Sequence, residues 1–319
     1  MEKLKVGILG TANIAQRMVA PALLQMEEFD LVCVGSRSKE KAEAFAKRFG
    51  CKAVQGYQAV LEEDLDAVYI PLPVALHEEW VAHALHQDKH VLCEKSLATN
   101  LEEVSSMTRL AKQKGKVLLE NFMFLCHSQQ QFLLHEIRKK NIGEIRVVRV
   151  SFGFPPFPDP NNIRYQKDLG GGALLDAGCY TVKAAQMILG TGLQVVSGTL
   201  NYNDKGVDIH GAICLRADNG VVAQLAFGFD HFYQCKIDVW GSKGRLVADR
   251  AFTAGPGFRP KISMEFQDET KEHTLPADNH FKNMLKHFHT CIVENQGAAQ
   301  LEAILDQARL MQGAREHAG

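Results

Sequence analysis

One short stretch near the start of the chain restricts its fold more than any other: Gly7-Ile8-Leu9-Gly10-Thr11-Ala12-Asn13-Ile14-Ala15. Residues 4–9 are β-prone and the apolar positions from 14 to 24 recur at helical spacing, so Gly10 falls where a buried parallel strand turns sharply into a helix. Such a turn aims the backbone N–H groups of Thr11, Ala12, Asn13 and Ile14, with the positive end of the helix dipole, at one spot that suits a pyrophosphate. Small side chains at Ala12 and Ala15 let a ligand and the strand come close. The pattern is G-x-A-x-x-A rather than G-x-G-x-x-G, and an ordinary strand–helix turn can carry the same residues, so context has to decide.

The context is an alternation of strand-like and amphipathic helical runs up to about Phe124. Strands are expected at residues 6–9, 31–35, 53–54, 67–72, 90–93 and 117–121, with helices at 14–25, 39–49, 57–61, 76–86 and 101–114, which is the rhythm of a doubly wound parallel sheet. In open sheets of this kind ligands sit beyond the carboxyl ends of the strands, so Gly10, Ser36, the Pro71-Leu72-Pro73 segment, Glu94, Lys95 and Asn121 are expected along one crevice. After Phe124 the rhythm changes. A helix at 129–140, a strand at 144–154, a helix from Asp176 and four or five longer runs between Gln194 and Asp249 separated by Asn203-Asp204, Asp218-Asn219-Gly220 and Gly241-Ser242-Lys243-Gly244 read as an antiparallel sheet with helices. One face of that sheet should pack on helices and the other is free to pair subunits. Helices at 279–294 and 301–317 close the chain. The fold class is therefore α/β: a Rossmann-type domain over 1–124 and an α+β domain with a largely antiparallel open sheet over 125–319, its last helix free to pack back on the first domain.

With 319 residues and 46% hydrophobic content the chain can fill two cores. Its 36 basic and 37 acidic residues leave a formal charge of -1, too weak a field to favour nucleic acid or an anionic membrane surface. The chain enters its first strand without a leader-like segment and holds no apolar run of spanning length, so a cytoplasmic place is expected. Its 8 cysteines are scattered without a C-x-x-C pair, which points to small buried hydrophobes rather than metal ligands.

The end of the second strand reads Ser36-Arg37-Ser38. A carboxylate there would accept from a ribose 2′-OH; a guanidinium flanked by hydroxyls suits a 2′-phosphate instead, because arginine makes forked charge-assisted bonds and stacks on adenine. NADP(H) is thus the expected cofactor, against the plainer reading that Arg37 is a solvated cation and Ser38 a helix cap. Lys95, at the crevice end of the fifth strand, can donate to a substrate oxygen. Far downstream, Gly170-Gly171-Gly172 precede Asp176 and Tyr180, which share a face if a helix begins at Asp176. A phenol in the first turn feels the positive dipole end and can exchange a proton with a carbonyl or alcohol oxygen, although half-buried packing is the commoner fate of such a tyrosine.

Together these segments resemble the Gfo/Idh/MocA family of nicotinamide-dependent sugar oxidoreductases over nearly the whole chain. The likeness rests on the N-terminal turn with Pro21-Ala22, on Ser36-Arg37, the segment from Pro71 to His77, Glu94-Lys95, Glu120-Asn121-Phe122 and Asp176-Ala177-Gly178-Cys179-Tyr180. Ser96 departs from the family's E-K-P, and Ala12 from its second glycine. The resemblance implies that Lys95 and Tyr180 are the reacting pair, tyrosine matching the ketosugar reductase, dihydrodiol dehydrogenase and glucose–fructose oxidoreductase branches. It also implies that His77 lies near the nicotinamide, that Arg164 and Asp176 approach the cofactor, that Asp176 and Tyr233 meet the sugar, and that the protein forms dimers or tetramers. The run from Asn162 to Gln166, the segment Phe227-Gly228-Phe229-Asp230-His231-Phe232-Tyr233 and Phe252-Thr253 are most similar to the 3-ketoreductases of deoxysugar nucleotide biosynthesis. Reduction of a 3-keto nucleotide sugar is therefore the leading expectation. An NADP+-dependent dehydrogenase of a free sugar, polyol or trans-dihydrodiol, and a non-catalytic NADP(H) sensor, remain open at this point.

Overall fold

The computed structural model describes residues 3–318. It divides into two compact units, 1–121 with 281–305 and 122–280 with 306–319.

In the first unit, strands β1 (Leu4–Leu9), β2 (Phe29–Ser36), β3 (Lys52–Gln55), β4 (Ala67–Ile70), β5 (His90–Cys93) and β6 (Leu118–Glu120) form one parallel sheet in the order β3-β2-β1-β4-β5-β6. All four residues of β4 and the last three of β5 are buried, as expected of strands covered on both faces. β4 stops two residues short of the expected end because Pro71 has no N–H to continue the ladder. The crossover helices are α2 (Lys39–Phe49), α3 (Gln58–Leu61), α4 (His77–His86) and α5 (Leu101–Lys114). The first crossover opens as a π-helical turn, Ala15–Val19, before α1 (Ala20–Leu23). Pro21 lies in α1, and its ring would crowd the carbonyl four residues earlier, so one wide turn makes room for it. Helix α8 (His280–Val293) belongs almost entirely to this unit, its His289 ring lying edge-on to Phe29 at 5.8 Å.

The second unit is built on α6 (Ser128–Arg138), α7 (Cys179–Leu189), the end of α9 (Gly297–Glu316) and a sheet of eight strands. These are β7 (Ile145–Gly153), β8 (Gln194–Tyr202), β9 (Asp208–Arg216), β10 (Val222–Gly228), β11 (Gln234–Gly241), β12 (Arg245–Asp249), β13 (Lys261–Glu265) and β14 (Thr270–Thr274), in the order β14-β13-β12-β11-β7-β10-β9-β8. Every pair is antiparallel except β7 with β10. The edge hairpin β13–β14 has no counterpart in the sequence reading: its segments KISME and TKEHT are short and charged, and only Ile262 and Met264 are buried, a composition that suits a sheet edge and looks like a loop. One face buries Val148, Val150 and Phe152 with Ile237, Val239, Leu225 and Phe227. The other carries a row of charge. Arg149 bonds Gln224 and approaches Asp238, Asp238 takes a forked pair from Arg245, and Arg245 reaches Glu265. Trp240, beside Arg149, is 49% exposed.

Two histidines, the half-buried His90 and the buried His280, make stability depend on pH. Burial pushes His90 and His280 down to about 4, the neighbouring His127 adding to the effect at His280. Their folded pKa values lie below the ordinary 6.5, so the stabilising contribution is complete above that value and falls as the pH drops towards 4. For the nearly inaccessible His280 this is on the order of 3 kcal/mol. Urea midpoints measured at pH 7.5 and pH 5 should fall on acidification in wild type, and fall less in His280→Gln; an equal drop in both removes His280 from the account.

Candidate active site

At the crevice edge of the parallel sheet, Gly10 has φ +111, and a Cβ on it would lie 2.9 Å from Leu72 Cδ2, so only glycine makes this turn without strain. Its N–H bonds Gly35 O at 2.8 Å, while Gln16 closes the following turn by bonding the carbonyls of Thr11 and Ala12. Thr11, Ala12 and Ile14 are half-buried and Asn13 is exposed, at the N-terminal end of the first helical run.

At the end of β2, Ser36 is buried and Arg37 exposed. Ser38 caps α2: its Oγ accepts from Lys41 N–H at 3.2 Å and donates to Glu40 at 2.7 Å, which holds the Glu40 carboxyl below its ordinary value. Of the two hydroxyls expected beside the 2′-phosphate, that of Ser38 is thus engaged in the cap, and that of Ser36 accepts from Ser38 N–H at 3.3 Å.

The ends of β4, β5 and β6 are tied together by side chains. Glu94 Oε1 accepts from Tyr69 OH and from Asn121 Nδ2, both at 2.6 Å. Burial raises the Glu94 pKa, and these two bonds and the charge of Lys95 oppose the rise. Asn121 is 1% exposed and its Oδ1 has no hydrogen-bond partner, an acceptor left for a donor from outside the protein such as an amide or ribose hydroxyl. Lys95 is half-buried, and the Lys95–Ser96 peptide is cis. Leu97 N–H donates to Glu120 Oε1 at 2.9 Å.

His77 is wholly buried. Nε2 stands 2.8 Å from Leu72 O, and Nδ1 stands 3.0 Å from Ser96 O and 3.2 Å from Leu97 O. A neutral ring donates to one of these sides, the imidazolium to both. Burial presses its pKa down against the pull of the three carbonyls. Placed so, His77 offers no surface to a ligand.

In the second unit the helix carrying Tyr180 does not begin at Asp176. A π-helical turn, Leu174–Gly178, precedes α7, and Asp208 of β9 accepts from Leu174 N–H at 2.6 Å. The carboxylate that caps the run comes from a strand 34 residues away, so local sequence could not reveal the start. Tyr180 therefore lies beyond the first turn, where the helix dipole acts on it less than expected. Gly172 makes the capping possible: φ is +126 and a Cβ would collide with Asp208 Oδ1. Gly172→Ala should cost about 3 kcal/mol from backbone strain and the lost cap, read as a lower denaturant midpoint; an unchanged midpoint would show that the run tolerates another start.

Tyr180 is 6% exposed within a cage of Phe122, Phe124, Phe152 and Phe252, with ring centroids 5.3 to 5.7 Å away and its OH 3.7 Å from Met123 Sδ. Asp176 pairs with Arg164 at 2.6 Å, and the guanidinium lies over Phe157 at 4.6 Å. Tyr233 OH bonds Thr253 Oγ1 at 2.5 Å, next to cage residue Phe252. Glu120, Phe122 and Phe252 lie in segments that carry the family likeness, whereas Phe124, Phe152, Tyr69 and Asp208 carry no motif of their own in the sequence, because each matters only through what packs beside it.

The glycine turn, the arginine at the end of β2 and the orphan acceptor on Asn121 fit a dinucleotide. The family models agree: residues 4–122 match the oxidoreductase family with an NAD-binding Rossmann fold, and residues 131–247 match the GFO/IDH/MocA C-terminal domain. The chain is 41% identical over 286 residues to a dTDP-3,4-didehydro-2,6-dideoxy-alpha-D-glucose 3-reductase of Saccharopolyspora spinosa, covering 89% of this chain and 86% of that one. It is 33% identical to a D-xylose 1-dehydrogenase (NADP(+)) of Haloferax volcanii, covering 88% and 87%. The crystal structure of KijD10, a 3-ketoreductase from Actinomadura kijaniata in complex with NADP and TDP-benzene, superposes with a TM-score of 0.96 at 38% identity, covering 99% of this chain and 98% of that one. The family models, the relatives and the superposed structure thus agree, and the chain belongs to the Gfo/Idh/MocA family of oxidoreductases.

Proposed function

We propose that this protein is an NADPH-dependent reductase of the C3 ketone of a nucleotide-linked sugar. The observation that carries the reading is the 41% identity, over 89% of the chain, with a reductase named for that reaction. When bound, NADPH supplies the reducing equivalent to the carbonyl carbon. Tyr180 gives its phenolic proton to the oxygen as it becomes an alcohol, and the four phenylalanines around the ring limit the directions in which the hydroxyl can point. Lys95 stabilises the negative charge that grows on the same oxygen before the proton arrives. The turn from Gly10 to Ile14 takes the pyrophosphate, Ser36 and Arg37 the 2′-phosphate, and Asn121 Oδ1 a donor at the nicotinamide end. Arg164 and Asp176 serve the cofactor side, Asp176 and Tyr233 the sugar.

The test is a substrate panel. Turnover of a dTDP-linked 3-keto sugar with NADPH, well above that of free sugars and trans-diols with NADP+, is the expected outcome. The reverse ranking would favour the second reading, a free-sugar dehydrogenase, which the 33% identity to a D-xylose dehydrogenase supports. Tight NADPH binding with no turnover of any panel member would leave a sensor.

The open sheet face, with Trp240 exposed beside the Arg149 row, supports self-association as a homodimer or homotetramer. A monomeric mass by light scattering at micromolar concentration would remove that part of the proposal. The eight cysteines form no disulfide, which fits a reducing, cytoplasmic setting. Among the described residues no helix is long and apolar enough to cross a membrane.

A further inference from the structure

We propose that His77 is a positioning residue for Lys95, its ring fixing the turn that carries the lysine against the end of β4. The inference rests on the role given to Lys95 above.

Lysine is a long, flexible side chain, so where its ammonium stands depends on how firmly the backbone beneath it is held. That backbone is held on both sides. Before Lys95, the Glu94 carboxylate is bonded by Tyr69 and Asn121; after it, Leu97 N–H is bonded to Glu120. The carbonyls of Ser96 and Leu97 face His77 Nδ1, which reaches them from the start of α4. On its other side the same ring meets Leu72 O, and the Leu72 side chain bounds the space beside Gly10. One imidazole therefore stands between the lysine turn and the residue over the glycine turn. It is inaccessible to solvent, so water cannot replace it. With its proton on Nδ1 the ring donates to the lysine turn, and without it those carbonyls lose that donor and the turn is less firmly held. A displacement of about 1 Å at a reacting group is enough to cost roughly 100-fold in rate.

The experiment is a double-mutant cycle on the full chain with His77→Phe, His77→Gln, Lys95→Ala and the combinations, assayed with a dTDP-linked 3-keto sugar and NADPH. Phenylalanine fills the space and donates nothing; glutamine keeps one N–H donor. His77→Phe should lower kcat by about 100-fold while the NADPH Kd, from fluorescence titration, moves by less than about threefold. In the Lys95→Ala background the same change should lower kcat by no more than about threefold, because its effect passes through the lysine. His77→Gln should recover part of the loss, and it carries the cycle if His77→Phe does not fold. An equal loss in both backgrounds overturns the proposal, as does full activity of a folded His77→Phe. An NADPH Kd that rises in step with the lost turnover also overturns it, making His77 a cofactor contact. Wild-type turnover by Lys95→Ala alone would instead remove the role of Lys95, and the inference with it.

Discussion

Tyr180→Phe should lower kcat for ketone reduction by about 10²- to 10⁴-fold, the range that a positioned proton donor contributes, and leave the NADPH Kd within about threefold of wild type. The substitution removes one oxygen. The phenyl ring keeps its contacts with Phe122, Phe124, Phe152 and Phe252, and the lost contact to Met123 Sδ is a weak one at 3.7 Å. A melting temperature close to that of wild type, with the ring contacts kept, separates a chemical role from a packing role. Lys95→Ala should lower kcat by about 10²- to 10³-fold by removing a donor to the developing charge. Because the proposed mechanism has both groups act on one oxygen, it predicts that the double variant loses less than the product of the two single losses. Near-wild-type turnover in a folded Tyr180→Phe would mean that another group donates the proton, and the mechanism proposed above would be wrong at its central step.

Arg37→Ala should weaken NADPH binding by about 10- to 100-fold, the worth of charge-assisted bonds to a phosphate, without weakening NADH. Arg37 has an exposed side chain at the end of β2, and the first acidic residue after it, Glu40, is turned to the Ser38 cap. Ser38→Ala is the informative control. Ser38 spends its hydroxyl on α2, so this variant should lose roughly 1 kcal/mol of stability and keep its preference for NADPH. Fluorescence titration with each cofactor reads both variants. Wild type binding NADH as tightly as NADPH would sink the assignment of Ser36 and Arg37, and a loss of preference in Ser38→Ala would put the hydroxyl back at the phosphate.

The first unit was largely legible because parallel strands covered on both faces are written as apolar runs, with crossover helices of regular period between them. Strand β5 and helices α2 and α5 match the sequence reading residue for residue. What local pattern hid was whatever depends on a distant partner. Asp208 caps the helix of Tyr180 across 34 positions, and β13 and β14 pair although their residues read as loop. His77 shows the same limit: family resemblance implies a place near the nicotinamide, whereas only the folded chain reveals two ring nitrogens turned to main-chain carbonyls.

By itself, then, the sequence determined the order of strands and helices in the first unit, the glycine turn, the absence of a carboxylate in Ser36-Arg37-Ser38 and which lysine and tyrosine to propose for the chemistry, because period, backbone freedom and functional groups belong to each residue alone. Tertiary structure decided how those residues are held: Ser38 as a cap, Asn121 with an open acceptor, Tyr180 inside four phenylalanines, His77 as an internal brace. Hydrogen bonding and desolvation are properties of pairs and enclosures, and the chain makes those only when segments far apart in sequence come together.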